Sequence, residues 1–116
     1  MNDLTLPQPQ PKPSNRPPRY RSSWEEQYAR YLEYRKIASE IIDYSYEVVK
    51  LRISDTGLYT PDFLVWDADE LQFHEVKGMR REAGMVRLRT AAHQVRWARF
   101  FLVTKNKNKW KIEEVK

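Results

Sequence analysis

Proline locks φ and removes a backbone donor, so a dense run of it cannot enter a packed helix or sheet. Six of the seven prolines in this chain (Pro7, Pro9, Pro11, Pro13, Pro17 and Pro18) fall before Tyr20, among Gln, Ser, Asn and basic residues. Such a stretch cannot assemble a core. Residues 1–21 are therefore expected to form a disordered, partly polyproline arm, bringing Lys12, Arg16, Arg19 and Arg21 to a phosphate backbone or simply into solvent. The folded domain is expected over 22–116. On the order of 95 residues bury only a modest core, so a homodimer is a natural expectation.

The 116 residues include no cysteine, which excludes a disulfide framework, a thiolate zinc site and a thiol nucleophile, and fits a reducing cytoplasmic setting. Apolar runs such as 100–103 fall far below the ~20 residues needed to span a bilayer, and no apolar stretch follows a basic start, so neither a membrane partner nor a secretory signal is expected. No glycine-rich phosphate loop is present, so no nucleotide cofactor is expected. Charge is divided along the chain: 25–75 holds twelve acids against five bases, whereas 78–112 holds ten Lys/Arg and the single acid Glu82. An acidic cluster beside a basic surface suits a metal-dependent enzyme acting on a polyanion.

Ser22-Ser23-Trp24-Glu25 opens a helix with a serine cap and an acid three residues on, followed by Tyr28, Tyr31 and Leu32 at helical spacing, ending near Ser39. The β-branched and aromatic stretch 41–53 predicts a strand, with a bulge as an option, closed by a turn at Thr56-Gly57. Residues 59–66 and 71–77 predict a hairpin across Asp67-Ala68-Asp69-Glu70. After Gly78 the period becomes helical, with Met85, Leu88, Ala92 and Val95 on one stripe to about Trp97. Two last strands, 100–104 and 110–115, flank a basic Lys-Asn-Lys-Asn turn. The expected fold is α/β in the order αβββαββ, a mixed β-sheet with flanking helices.

Hairpin arithmetic gives the site. If 67–70 is the loop, Trp66 faces Leu71, Leu64 faces Phe73 and Asp62 falls opposite Glu75. Facing like charges destabilise a sheet, so the pair makes sense around a divalent cation, and oxygen-only ligands suggest Mg2+ or Mn2+. Lys77, two residues beyond Glu75, projects from the same face. That arrangement suits phosphodiester hydrolysis, with Lys77 positioning water or neutralising charge that develops in the transition state. Neither His74 nor His93 has the i, i+4 partner of zinc hydrolases. The tryptophans and tyrosines are read as core and interface residues rather than base-stacking platforms.

With Pro61-Asp62 and Glu75-Val76-Lys77 the sequence resembles the PD-(D/E)XK nucleases. More narrowly, it is similar to small phage and prophage endonucleases of the Holliday-junction-resolvase type, through Ser22–Glu25, Tyr59–Phe63 and Glu75–Gly78. Arg80-Arg81-Glu82-Ala83, 100–105 and the final Trp-x-x-Glu-Glu add to the likeness. The resemblance implies a restriction-endonuclease-like core and magnesium-dependent cleavage of DNA inside a bacterial host cell. It also implies Asp62 and Glu75 as ligands, the Val76 carbonyl as an option for a third, and Lys77 as catalytic base or water-orienting group. Relatives often add an acid from the first helix, for which Glu25 and Glu26 are candidates. At about 100° per residue from Trp24, Glu25 lies near 100° at the edge of the apolar face and Glu26 near 200°, toward solvent, which favours Glu25.

Arg80, Arg81, Arg87, Arg89 and Arg96, with Lys105 and Lys107, are the candidate DNA contacts. So small a domain has little room for a base-reading module, so branched DNA such as a four-way junction, recognised by shape, is the expected substrate ahead of plain duplex. A catalytically idle nucleic-acid-binding protein that retains the fold is the alternative.

Overall fold

The computed structural model describes residues 20–77 and 82–116. Most of the expected arm, and Arg80 and Arg81, lie outside the described residues. Among those described, no helix is long and apolar enough to cross a membrane.

Helix α1 (Ser23–Ile37) begins where the Ser22 Oγ accepts from the Glu25 amide at 3.1 Å, satisfying one of the donors a helix start leaves open. It ends in a left-handed cap. Ser39 takes φ 63° while its amide reaches the Lys36 carbonyl at 3.0 Å and the Glu40 amide reaches Arg35 at 2.8 Å. Strands β1 (Asp43–Tyr46), β4 (Phe63–Trp66), β5 (Leu71–Val76), β6 (Arg99–Asn106) and β7 (Lys109–Val115) form one mixed sheet in the order β1-β4-β5-β6-β7. All neighbours are antiparallel except β5 and β6, whose parallel pairing is made by the crossover through α2 (Glu82–Gln94). Strands β2 (Leu51–Arg52) and β3 (Leu58–Tyr59) form a separate two-stranded ribbon closed at Gly57.

Alternation along the strands sorts the core onto two faces. Phe63, Val65, Val76 and Val103 pack under α1 with Tyr28, Ala29 and Leu32. Phe73, Phe100 and Leu102 pack with Met85, Leu88 and Ala91 of α2, and the ribbon adds Leu51 and Tyr59 there.

Two strands expected as continuous are broken. The 41–53 stretch divides into β1 and β2, which belong to different sheets, because Glu47 turns the chain with φ 50° and sends its amide to the Asp62 carbonyl at 2.9 Å. The 59–66 stretch divides into β3 and β4 around Thr60-Pro61-Asp62, since Pro61 has no amide to give a ladder. Among the described residues the element order therefore carries five short strands between the helices where three were expected. The hairpin register is as read: Leu64 pairs with Phe73 and Trp66 with Leu71.

Candidate active site

Where β4 begins and β5 ends, the chain builds a cleft of about 350 Å³ whose lining includes Glu25, Asp62, Glu75, Val76, Lys77 and Arg87. The β4–β5 ladder stops at Phe63 and His74, so Asp62 stands just ahead of its strand instead of within it. It is nevertheless bound to β5: its Oδ2 accepts the Val76 amide at 2.8 Å, and its own amide donates to Glu75 Oε1 at 3.3 Å. The proline that breaks the strand thus frees Asp62 to turn its carboxylate onto the end of β5.

Asp62 and Glu75 are 7% and 6% exposed, two carboxyls held together with little water. Burial first, and then the Glu75 charge, push the Asp62 carboxyl up to about 8, against the pull of the Val76 amide and Lys77. Glu75 is held from two sides. Its Oε1 accepts from the Tyr59 hydroxyl at 2.7 Å, and its Oε2 lies 2.9 Å from the Lys77 ammonium. Burial and the neighbouring Glu75 raise the Tyr59 hydroxyl far above its ordinary range, keeping it a donor.

The Lys77 side chain runs against α2. A Cβ at Gly84 would stand 2.9 Å from Lys77 Nζ and 3.3 Å from Cε, so the absence of a side chain there makes room for the ammonium. Arg87, one turn along α2, also lines the cleft and is exposed. From the opposite face of the sheet, Glu25 reaches the same cleft; it is 7% exposed and accepts from the Tyr46 hydroxyl at 2.8 Å. Glu26 instead pairs with Arg30 at 3.1 Å on the outer surface.

His74 faces the other way, beneath α1. Its Nε2 lies 2.8 Å from the Gln72 amide oxygen, so that nitrogen carries the proton and Nδ1 accepts from the Tyr28 hydroxyl at 2.5 Å. Burial lowers its imidazole to about 3, leaving it neutral.

The basic candidates are dispersed. Arg87 belongs to the cleft, and Lys105 and Lys107 lie where β6 runs on past Val103, the residue paired with Val76. Arg96 lines a hollow with Arg99 and Glu114, at the opposite end of the sheet, where Arg99 pairs with Gln72. Arg89 is exposed on α2. Tyr59, Tyr46 and Gly84 were not singled out as site residues from the sequence. Tyr59 opens the Tyr59–Phe63 motif and Gly84 lies in the first turn of a helix, which are the local signs; the pairing itself is not local, since the tyrosines meet their carboxylates across 16 and 21 residues.

No family model, curated protein or solved structure matches the chain.

The donor set fits a hard divalent cation. All its donors are oxygens, and a neighbouring double positive charge would offset the burial and the Glu75 repulsion that raise the Asp62 carboxyl. Among the described residues no three His, Asp or Glu side chains already converge as a cage. The carboxyl pair would therefore need main-chain and solvent oxygens to complete the shell, as magnesium commonly does with one or two carboxylates.

Proposed function

We propose that this chain is a magnesium-dependent endodeoxyribonuclease of the PD-(D/E)XK type, with manganese as a substitute ion. The observation that carries the reading is the buried Asp62–Glu75 pair, with the Lys77 ammonium 2.9 Å from Glu75, open to a cleft that Arg87 also lines. Asp62, Glu75 and the Val76 carbonyl are the residues that would hold the cation. When bound, it would supply Lewis acidity toward a phosphate oxygen and lower the pKa of water.

The chain's own groups supply the rest. Arg87 receives a non-bridging phosphate oxygen at the cleft mouth, where its guanidinium suits that geometry. The Lys77 Nζ donates to the attacking water or to the phosphoryl oxygen on which charge develops, already aimed by Glu75 and by the space at Gly84. Tyr59 holds the Glu75 Oε1, and Glu25 adds a third carboxylate from α1. The mixed sheet between two helices, with β5 and β6 joined through α2, is compatible with a restriction-endonuclease-like core.

The proposed substrate is branched DNA, cut by a homodimer acting in phage DNA processing or recombination in the bacterial cytoplasm. The test compares a labelled four-way junction with linear duplex and single strand, in magnesium and in chelator, for the wild type and Lys77→Ala. Cutting of the junction in magnesium alone, lost in the variant, is expected. Equal cutting of linear duplex would discard the branch preference. Salt-sensitive binding without cutting would favour the idle binding protein instead.

A further inference from the structure

Most aromatic side chains here serve the core, but Tyr34 does not. It is 73% exposed on the outer flank of α1. With Arg30, Tyr31, Lys105, Lys109 and Trp110 it surrounds a hollow of about 590 Å³ between α1 and the β6–β7 hairpin. A second hollow of about 550 Å³ shares Lys109 and Trp110 and continues past Lys107 and Lys111. No carboxylate lines either one. Arg30 is answered by Glu26 at 3.1 Å and Lys111 by Glu113 at 3.3 Å, whereas Lys107 and Lys109 have no ion pair among the described residues. Lys107 is held outward by a two-residue turn in which it takes φ 59°. Lys105 lies over the Trp110 ring at 5.4 Å, so cation and ring already alternate along the strip.

That combination selects among polyanions. A duplex offers phosphates but hides the faces of its bases, so an exposed ring contributes little to holding it. An unpaired strand offers both, and grooves that track single strands combine cations for the backbone with rings for the bases. The strip also opens at the right place. Strand β6 runs parallel to β5, so its far end, carrying Lys105, emerges at the same end of the sheet as the catalytic cleft.

We infer that this strip holds an unpaired polynucleotide strand, with phosphates on Lys107 and Lys109 and a base against Tyr34. The inference rests on the nuclease reading for its substrate, and narrows that substrate to DNA with a single-stranded stretch beside the cut.

The test uses the full chain in chelator, where nothing is cut, and measures the anisotropy of labelled oligothymidylate and of a blunt duplex of equal length. Tyr34 lies outside the core, so Tyr34→Ala keeps the fold. It should weaken oligothymidylate binding by about fivefold to a hundredfold and leave duplex binding unchanged. Lys107→Ala combined with Lys109→Ala should weaken it too and make its salt dependence shallower by about 1.4 units of log–log slope. Wild-type affinity for oligothymidylate in Tyr34→Ala, or equal loss for strand and duplex, would overturn the inference. A chain that binds oligothymidylate through Tyr34 yet cuts no DNA in magnesium would leave the strip standing and remove the nuclease reading.

Discussion

At the scale of single residues, Asp62 is a carboxyl that burial and the Glu75 charge hold in its protonated form. Its carboxyl is raised from 3.8 to about 8 in the folded chain, so between those values the folded state keeps a proton that the unfolded state has lost. Without a divalent ion, stability should therefore fall as pH rises from about 4 to about 8. Asp62→Asn keeps an acceptor for the Val76 amide but cannot ionise, so melting temperature in chelator should flatten across that window. An unaltered pH profile in the variant would place the titrating group elsewhere. Gly84 makes a second prediction at this scale. Gly84→Ala improves helix propensity by up to about 1 kcal/mol, yet its Cβ would push on Lys77 Nζ from 2.9 Å. Melting temperature should hold or rise while turnover drops; a variant with wild-type turnover would show that Lys77 needs no such room. The facing of Asp62 and Glu75 was legible because loop and alternating strands fix a register that a one-residue slip would invert. Lys77 beside Glu75 was legible for the same reason, whereas the Tyr59 and Tyr46 contacts were not, since a tyrosine hydroxyl finds its carboxylate only after the chain has folded.

At the scale of elements, the start of α1 and the positions of β5, β6 and β7 were readable, and the breaks inside 41–53 and 59–66 were not. Ser22 and the Glu25 three residues after it mark the start of α1 through a short-range bond that sequence alone can anticipate. The break between β1 and β2 rests on Glu47 at φ 50°, a conformation that its side chain does nothing to advertise. The break before β4 had a visible sign in Pro61, but its outcome, a ribbon pairing β3 with β2, depends on long-range packing against α2. The end of α1 carries a stability prediction. Ser39 occupies the left-handed position of the cap at φ 63°, where a Cβ is disfavoured. Ser39→Gly should stabilise the protein by about 0.5–1 kcal/mol, net of the extra freedom glycine gains when unfolded. Denaturant titration measures this directly, and a loss of stability would mean that the serine hydroxyl contributes more than the backbone strain costs.

At the scale of the whole molecule, the net charge of +5 is distributed so that direction matters. The cleft sits at one end of the sheet with Arg87 at its mouth, and the β6–β7 hairpin adds lysines at that same end, whereas Arg96 stands at the other. If DNA lies across the cleft end, Arg87→Ala should weaken binding and reduce the log–log salt slope by about one, while Arg96→Ala changes neither. Equal effects from both would mean that the whole basic half, and not one end, meets the backbone. This asymmetry is invisible in a count of ten bases against one acid, because the parallel crossover decides which of them share an end.

The central claim is that Asp62 and Glu75, with Lys77 beside them, hold a divalent cation and cut DNA. Its most direct measurement is the cleavage rate of labelled branched and linear DNA by the wild type and Asp62→Asn in magnesium, with binding of both proteins measured in parallel. The wild type should cut, and the variant should bind equally well but cut about a hundredfold more slowly or less. Equal rates in the two proteins, or no cutting by the wild type in magnesium or manganese, would contradict it.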